Sequence, residues 1–182
     1  MARYHFVTRL RVGADRQQVW EAILDPVVWP SWWRWLKRVE LLERGDADRV
    51  GARYRLIFGT ALPYSLSFET TTVRVSAPAL LEVRASGELA GRGLWQLLDA
   101  TGASTDVTYT WLVETTKRWM NVVAPLARPL FSWNHDVLMR DFGRGLAQEV
   151  DGRLLHIENT TVSPSHPGFF VLPRPDPRGD PM

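Results

Sequence analysis

In FSWNHDVLMRDFGRGLAQEVDGRLLHI, residues 131–157, the apolar side chains Phe131, Leu138, Phe142, Leu146, Val150 and Leu154 fall mostly four apart. Arg140, Arg144, Gln148 and Asp151 point elsewhere. That spacing predicts one long amphipathic helix with a single buried stripe. At 1.5 Å per residue it is roughly 40 Å long, enough to cross a small domain. Gly143, Gly145 and Gly152 each cost about 1 kcal/mol of helix propensity. Packing must therefore hold the helix, and close approach of a strand at Gly145 is one reason to keep a glycine there.

The chain before this helix reads as strands. Tyr4, Phe6, Thr8, Leu10 and Val12 alternate with His5, Val7, Arg9 and Arg11, a half-buried strand. Asp15 then caps a helix, Gln18 completes a capping-box pattern, Val19, Trp20, Ile23 and Leu24 form its buried face, and Asp25-Pro26 stops it. A second, short helix is predicted in WPSWWRWL, residues 29–36. Six further strands follow around Val39 and Leu41; Tyr54, Leu56 and Phe58; Tyr64, Leu66 and Phe68; Leu81 and Val83; Trp95 and Leu97; and Tyr109, Trp111 and Val113. The third of these changes phase, because Val73 and Val75 are odd-numbered, and a bulge near Thr70 to Thr72 would reconcile its halves. Pro125 and Pro129 predict an irregular or kinked approach to the last helix.

The 182 residues suit one domain, long enough to bury about 70 % of the unfolded surface. Without cysteine there is no disulfide, thiol catalysis or Cys-bound zinc. No run approaches the ~20 apolar residues that span a bilayer, and the N-terminus lacks the apolar core of a secretory signal. The expected setting is a bacterial-type cytoplasm. The basic residues are scattered, so no nucleic-acid partner is predicted. His5, His135, His156 and His166 lack metal spacing, Gly91-Arg92-Gly93 is no dinucleotide loop, and no cofactor is expected. Residues 163–182 contain six prolines and little core-forming material. The predicted division is therefore a domain over 1–157 and a Pro-rich, disordered or loosely attached tail over 158–182.

This order of elements resembles the START-like superfamily, also called helix-grip or SRPBCC, which includes polyketide cyclase/dehydrase-type and lipid-transport proteins. The resemblance is carried by Val19-Trp20-Glu21-Ala22-Ile23 with Asp25-Pro26, Trp29-Pro30 and Trp32-Trp33. It continues in Val50-Gly51, in Gly87-Glu88-Leu89 with Gly91, Gly93 and Trp95, in residues 105–111, and in Asn134-His135. It implies an α+β fold: a seven-stranded curved antiparallel sheet wrapped around a long C-terminal helix, two short helices after the first strand, and a hydrophobic tunnel between sheet and helix.

Strand phase then says what faces that tunnel. The predicted ligand-binding set is Trp33, Tyr54, Phe58, Tyr64, Phe68, Val83, Trp95, Tyr109, Trp111, His135, Leu138, Met139 and Phe142. No Asp, Glu, Lys or Arg of those strands falls in the inward phase, so a neutral, apolar, ring-containing or lipid-like ligand fits better than a charged one. His135 is the sharpest candidate: either a hydrogen-bonding or acid/base group at the tunnel, or a histidine near the helix start satisfied by backbone or Asp136. Asn134 is either part of the site or the helix N-cap. Trp29, Trp32, Trp33 and Trp35 read as a plug between helices and sheet, as a lid, or, with Arg34, Lys37 and Arg38, as a transient membrane contact without stable insertion. The leading expectation is a non-catalytic carrier of a small hydrophobic molecule. The alternative is an aromatase/cyclase- or hydratase-like enzyme in which His135, Tyr109 or Tyr54 shuttles protons.

Overall fold

The computed structural model describes residues 3–61, 64–116 and 118–162. Strand β1 (Arg3–Val12) leads into helices α1 (Arg16–Leu24) and α2 (Trp29–Trp32). Strands β2 (Leu36–Glu43), β3 (Arg53–Gly59), β4 (Ser65–Ser76), β5 (Leu80–Gly87), β6 (Leu89–Ala100) and β7 (Ser104–Thr115) follow. Helix α3 (Arg118–Glu149) and strand β8 (Leu154–Val162) close the described chain. The strands form one curved antiparallel sheet in the order β2-β3-β4-β5-β6-β7-β1-β8, with α3 as the long C-terminal helix. The helix-grip architecture is therefore present, with eight strands instead of seven. Among the described residues no helix is long and apolar enough to cross a membrane.

Two differences from the sequence reading have local causes. Helix α3 starts at Arg118 and runs through Pro125 and Pro129, where an irregular segment was predicted. It also ends earlier. Asp151 takes a left-handed φ of 49°, the Gly152 N–H bonds the Ala147 carbonyl at 2.8 Å, and the Asp151 N–H bonds that of Gln148 at 3.2 Å. This pair of bonds is a Schellman stop, which closes off the carbonyls of the last turn. Leu154 and Ile157, whose spacing continues the helical stripe, belong instead to β8, which pairs antiparallel with β1 from Leu154↔Val12 to Val162↔His5. The strand thus runs through residue 157; the tail from 163 onward lies outside the described residues.

Gly152 is where the chain crosses β1. A Cβ there would lie 2.7 Å from the Gly13 carbonyl oxygen, and Gly13 itself donates to the Arg153 carbonyl at 2.8 Å. The nearest obstacle is backbone, with the Ala14 Cβ next at 3.2 Å. Gly152→Ala is expected to destabilise the protein by about 1–2 kcal/mol in a urea titration, and an unchanged midpoint would show that the crossing relaxes freely.

Other expectations hold. Asp15 caps α1 by accepting from the Gln17 N–H at 2.8 Å. The β4 register slips between Thr72 and Arg74, so Leu66, Phe68, Thr70 and Thr72 all face inward before the bulge. The core is built around the wholly buried Trp20, Ile23, Leu36, Leu97, Val107, Phe142 and Leu146, joining both helical layers to the sheet.

Candidate functional site

Five residues of α3 share one face by their spacing: Phe131, Asn134, His135, Leu138 and Met139. They look across at the concave side of the sheet and enclose, with it, a cavity of about 140 Å³. Tyr54 and Phe58 on β3, Tyr64 and Phe68 at and on β4, Val83 on β5, Trp95 on β6, and Tyr109 and Trp111 on β7 line the sheet side. Trp33, at the end of α2, lines the helical side with Trp29, Leu24 and Pro26. Among the described residues no carboxylate, lysine or arginine lines it. Phe142 is the exception among the predicted residues: it is wholly buried, its ring 4.8 Å from that of Trp33 and 5.1 Å from that of Trp95, and it supports the wall from behind.

Sheet register sets the aromatic order. Trp95 lies opposite Tyr109 across β6 and β7, and their rings stack at 3.8 Å. Gly93 lies opposite Trp111, and a Cβ there would come within 2.9 Å of the indole. Gly93 therefore makes room for Trp111, not for a ligand or a helix. Trp29 and Trp33 are the plug. Both are buried, the Trp29 indole N–H donates to the Ala22 carbonyl at 2.9 Å, and that of Trp33 to the Leu138 carbonyl at 3.1 Å. These bonds fasten α2 to α1 on one side and to α3 on the other.

Several lining residues escaped the sequence reading. Tyr4, Phe6, Thr70, Thr72, Leu89, Thr115 and Phe131 all contribute, beside Asn134, which the sequence left open between site and N-cap. The threonines could have been found by keeping β4 in even phase up to its bulge. Tyr4 and Phe6 follow from the alternation of β1, once β1 is known to sit beside β7. Asn134 is buried in mid-helix and is no N-cap: its side-chain oxygen accepts from the Ala61 N–H at 2.8 Å, tying the β3–β4 connection to α3.

The polar groups divide sharply. The Tyr54 hydroxyl accepts from Arg49 Nη1 at 3.3 Å, and that guanidinium also lies 3.5 Å from Asp25. Of the three acid/base candidates, Tyr54 is thus already engaged. Burial pushes the Tyr109 phenol well above its usual 10, so it stays protonated. Tyr64 is pushed up to about 12, by burial first and by Tyr4 second. His135 stacks on Phe6 at 4.0 Å, and both its ring nitrogens are buried without a hydrogen-bond partner. Burial lowers its pKa from 6.5 to about 3, so the ring is neutral. The alternative in which backbone or Asp136 satisfies it does not occur. Such a wall can bind an apolar ring by contact and one or two neutral polar groups by hydrogen bonds. Among the described residues, no cluster of His, Asp or Glu is arranged to hold a metal ion.

The sequence matches, over residues 12–142, the family described as polyketide cyclase/dehydrase and lipid transport. No curated protein matches it. Among solved structures, a protein of Thermus thermophilus superposes with a TM-score of 0.69 at 17 % identity, covering 80 % of this chain and 96 % of that one. The Zhui aromatase/cyclase of a Streptomyces strain gives 0.68 at 16 % identity, covering 82 % and 94 %. A START superfamily protein of Mycobacterium smegmatis gives 0.66 at 16 %, covering 81 % and 97 %. At these identities the likeness is one of fold.

Proposed function

Since the chain belongs to the polyketide cyclase/dehydrase and lipid transport family, we propose that its cavity binds and carries a small, neutral, largely apolar molecule that contains a ring. The observation that carries this reading is a hollow walled by stacked aromatics, with no carboxylate, lysine or arginine among the described residues that line it. A buried charge without a partner costs several kcal/mol, so the wall disfavours anions and cations alike. The volume supports one ring: an apolar cavity of about 150 Å³ in another protein holds benzene. Native mass spectrometry of protein purified from its own host should show a bound neutral species. Ethylbenzene should raise the unfolding temperature with concentration, as any ligand bound only by the folded state does. No bound mass, together with no shift from ethylbenzene, would dispose of the proposal.

A second reading is an aromatase/cyclase-like enzyme, favoured by the neutral His135 and the protonated Tyr109 in one cavity. The imidazole would take a proton and the phenol would give one while the walls hold the substrate folded, against the burial that makes the first a weak base and the second a weak acid. A folded poly-β-carbonyl chain needs more room than about 140 Å³, which ranks this reading second. Unchanged turnover of such a substrate by His135→Ala and Tyr109→Phe would remove it.

A further inference from the structure

We propose that His135 is the polar anchor of the cavity and that it selects, among neutral single-ring compounds, those bearing a hydroxyl group. This rests on the ligand reading above and narrows it to an alkylphenol-like class. A neutral imidazole offers one N–H donor and one bare acceptor nitrogen. Both are buried here with no protein partner and closed to water, on a ring that stacks on Phe6 at 4.0 Å, so a hydroxyl in the hollow reaches them as the imidazole turns about its χ2 bond. Three other polar groups beside the cavity are already engaged: Tyr54 by Arg49, the Asn134 oxygen by Ala61, and the Trp33 N–H by Leu138. A hydroxyl is the smallest neutral group that can donate to the bare nitrogen or accept from the N–H. A carbonyl or an ether can only accept, and a carboxylate would enter a wall with no cation among its described residues.

The sign of one comparison tests this. Moving a hydroxyl from water into an apolar hollow without a partner weakens binding, so an unanchored cavity prefers ethylbenzene to para-ethylphenol. A hydrogen bond to an otherwise unsatisfied buried group reverses that order. Calorimetric titration of the full chain is expected to give para-ethylphenol binding roughly tenfold tighter than ethylbenzene, the ratio that one buried hydrogen bond supplies. Para-ethylbenzoate is expected to bind at least about 100-fold more weakly than the phenol. In His135→Phe the order of phenol and hydrocarbon should invert. His135→Gln, which restores a donor and an acceptor, should recover part of the preference. Adding the phenol should also shift the imidazole nitrogen resonances of His135, which a purely structural ring would not show. Ethylbenzene binding as tightly as the phenol, or a phenol preference that survives in His135→Phe, overturns the anchor and leaves the ligand reading intact. If none of the three compounds binds the unaltered protein, the anchor falls, and the ligand reading falls with it when native mass spectrometry also finds no bound species.

Discussion

Alanine in place of Gly145 is expected to destabilise the protein by about 3 kcal/mol, against the sign that helix propensity gives. Gly145 lies inside α3, where alanine normally gains about 1 kcal/mol over glycine. A Cβ at this position runs into the carbonyl oxygen of Trp32, with the carbonyl carbon and Cε3 of the same residue each at 3.0 Å. The obstacle is backbone and cannot turn away as a side chain would. It is also held: the Trp33 N–H bonds the Trp29 carbonyl at 2.7 Å and the Leu36 N–H bonds that of Trp33 at 3.0 Å. Either α3 withdraws or α2 moves, and moving α2 pulls Trp29 and Trp33 from their contacts with Phe142. The same change should therefore weaken ethylbenzene binding. Gly143→Ala is the control. Its Cβ would meet only methyl ends, Ile157 Cδ1 at 3.1 Å and Leu154 Cδ1 at 3.4 Å, which can shift. That variant is expected to be neutral or slightly more stable. Urea titration of both decides the matter. A Gly145→Ala midpoint at or above that of the unaltered protein would mean that the helices do not press together there.

Gly145 also shows how far the sequence could be read. Its cost to helix propensity signalled a close approach, but the neighbour is the short helix α2 and not a strand, because propensity records a demand without naming what meets it. Strand alternation was legible wherever one face is buried, which is why Tyr54, Phe58, Phe68, Trp95, Tyr109 and Trp111 could be put on one face by period, and on a cavity wall once the resemblance implied a tunnel. It failed at β8. Leu154 and Ile157 satisfy the helical period and the strand equally well, and only the free edge of β1, a long-range feature, chooses between them. The early stop depended on Asp151 adopting a left-handed backbone, which aspartate does often enough to be unsurprising and too rarely to be assumed. The isolation of the His135 ring was beyond local reading, since it is a statement about every group that might have reached those two nitrogens and does not.

That isolation has a thermodynamic consequence. His135→Phe is expected to be more stable than the unaltered protein by about 1–2 kcal/mol at pH 7, because it removes buried polar atoms that nothing satisfies. The gap should widen in acid. The folded imidazole has its pKa pushed down from 6.5 to about 3 by burial, while the unfolded chain keeps the ordinary value near 6.5. Above that pH both states hold a neutral ring and no difference arises. As pH falls through 6.5 the unfolded state takes up a proton that the folded state refuses, and stability drops with a slope approaching about 1.4 kcal/mol per pH unit. By pH 5 the loss is about 2 kcal/mol, and it levels off only when the folded ring is protonated. The carboxyls act elsewhere on the scale. Arg11, mainly by hydrogen bonding, holds Asp106 below the usual range, and burial raises Asp136. His5 and His156 are common to both proteins, so the difference between variant and parent isolates His135. Urea midpoints for the two at pH 7 and pH 5 should diverge; parallel lines would mean that the ring is protonated in the folded state and the cavity is wetter than its walls indicate. Saturating para-ethylphenol should bring the parent back toward the variant, since it binds only the folded protein with a neutral ring.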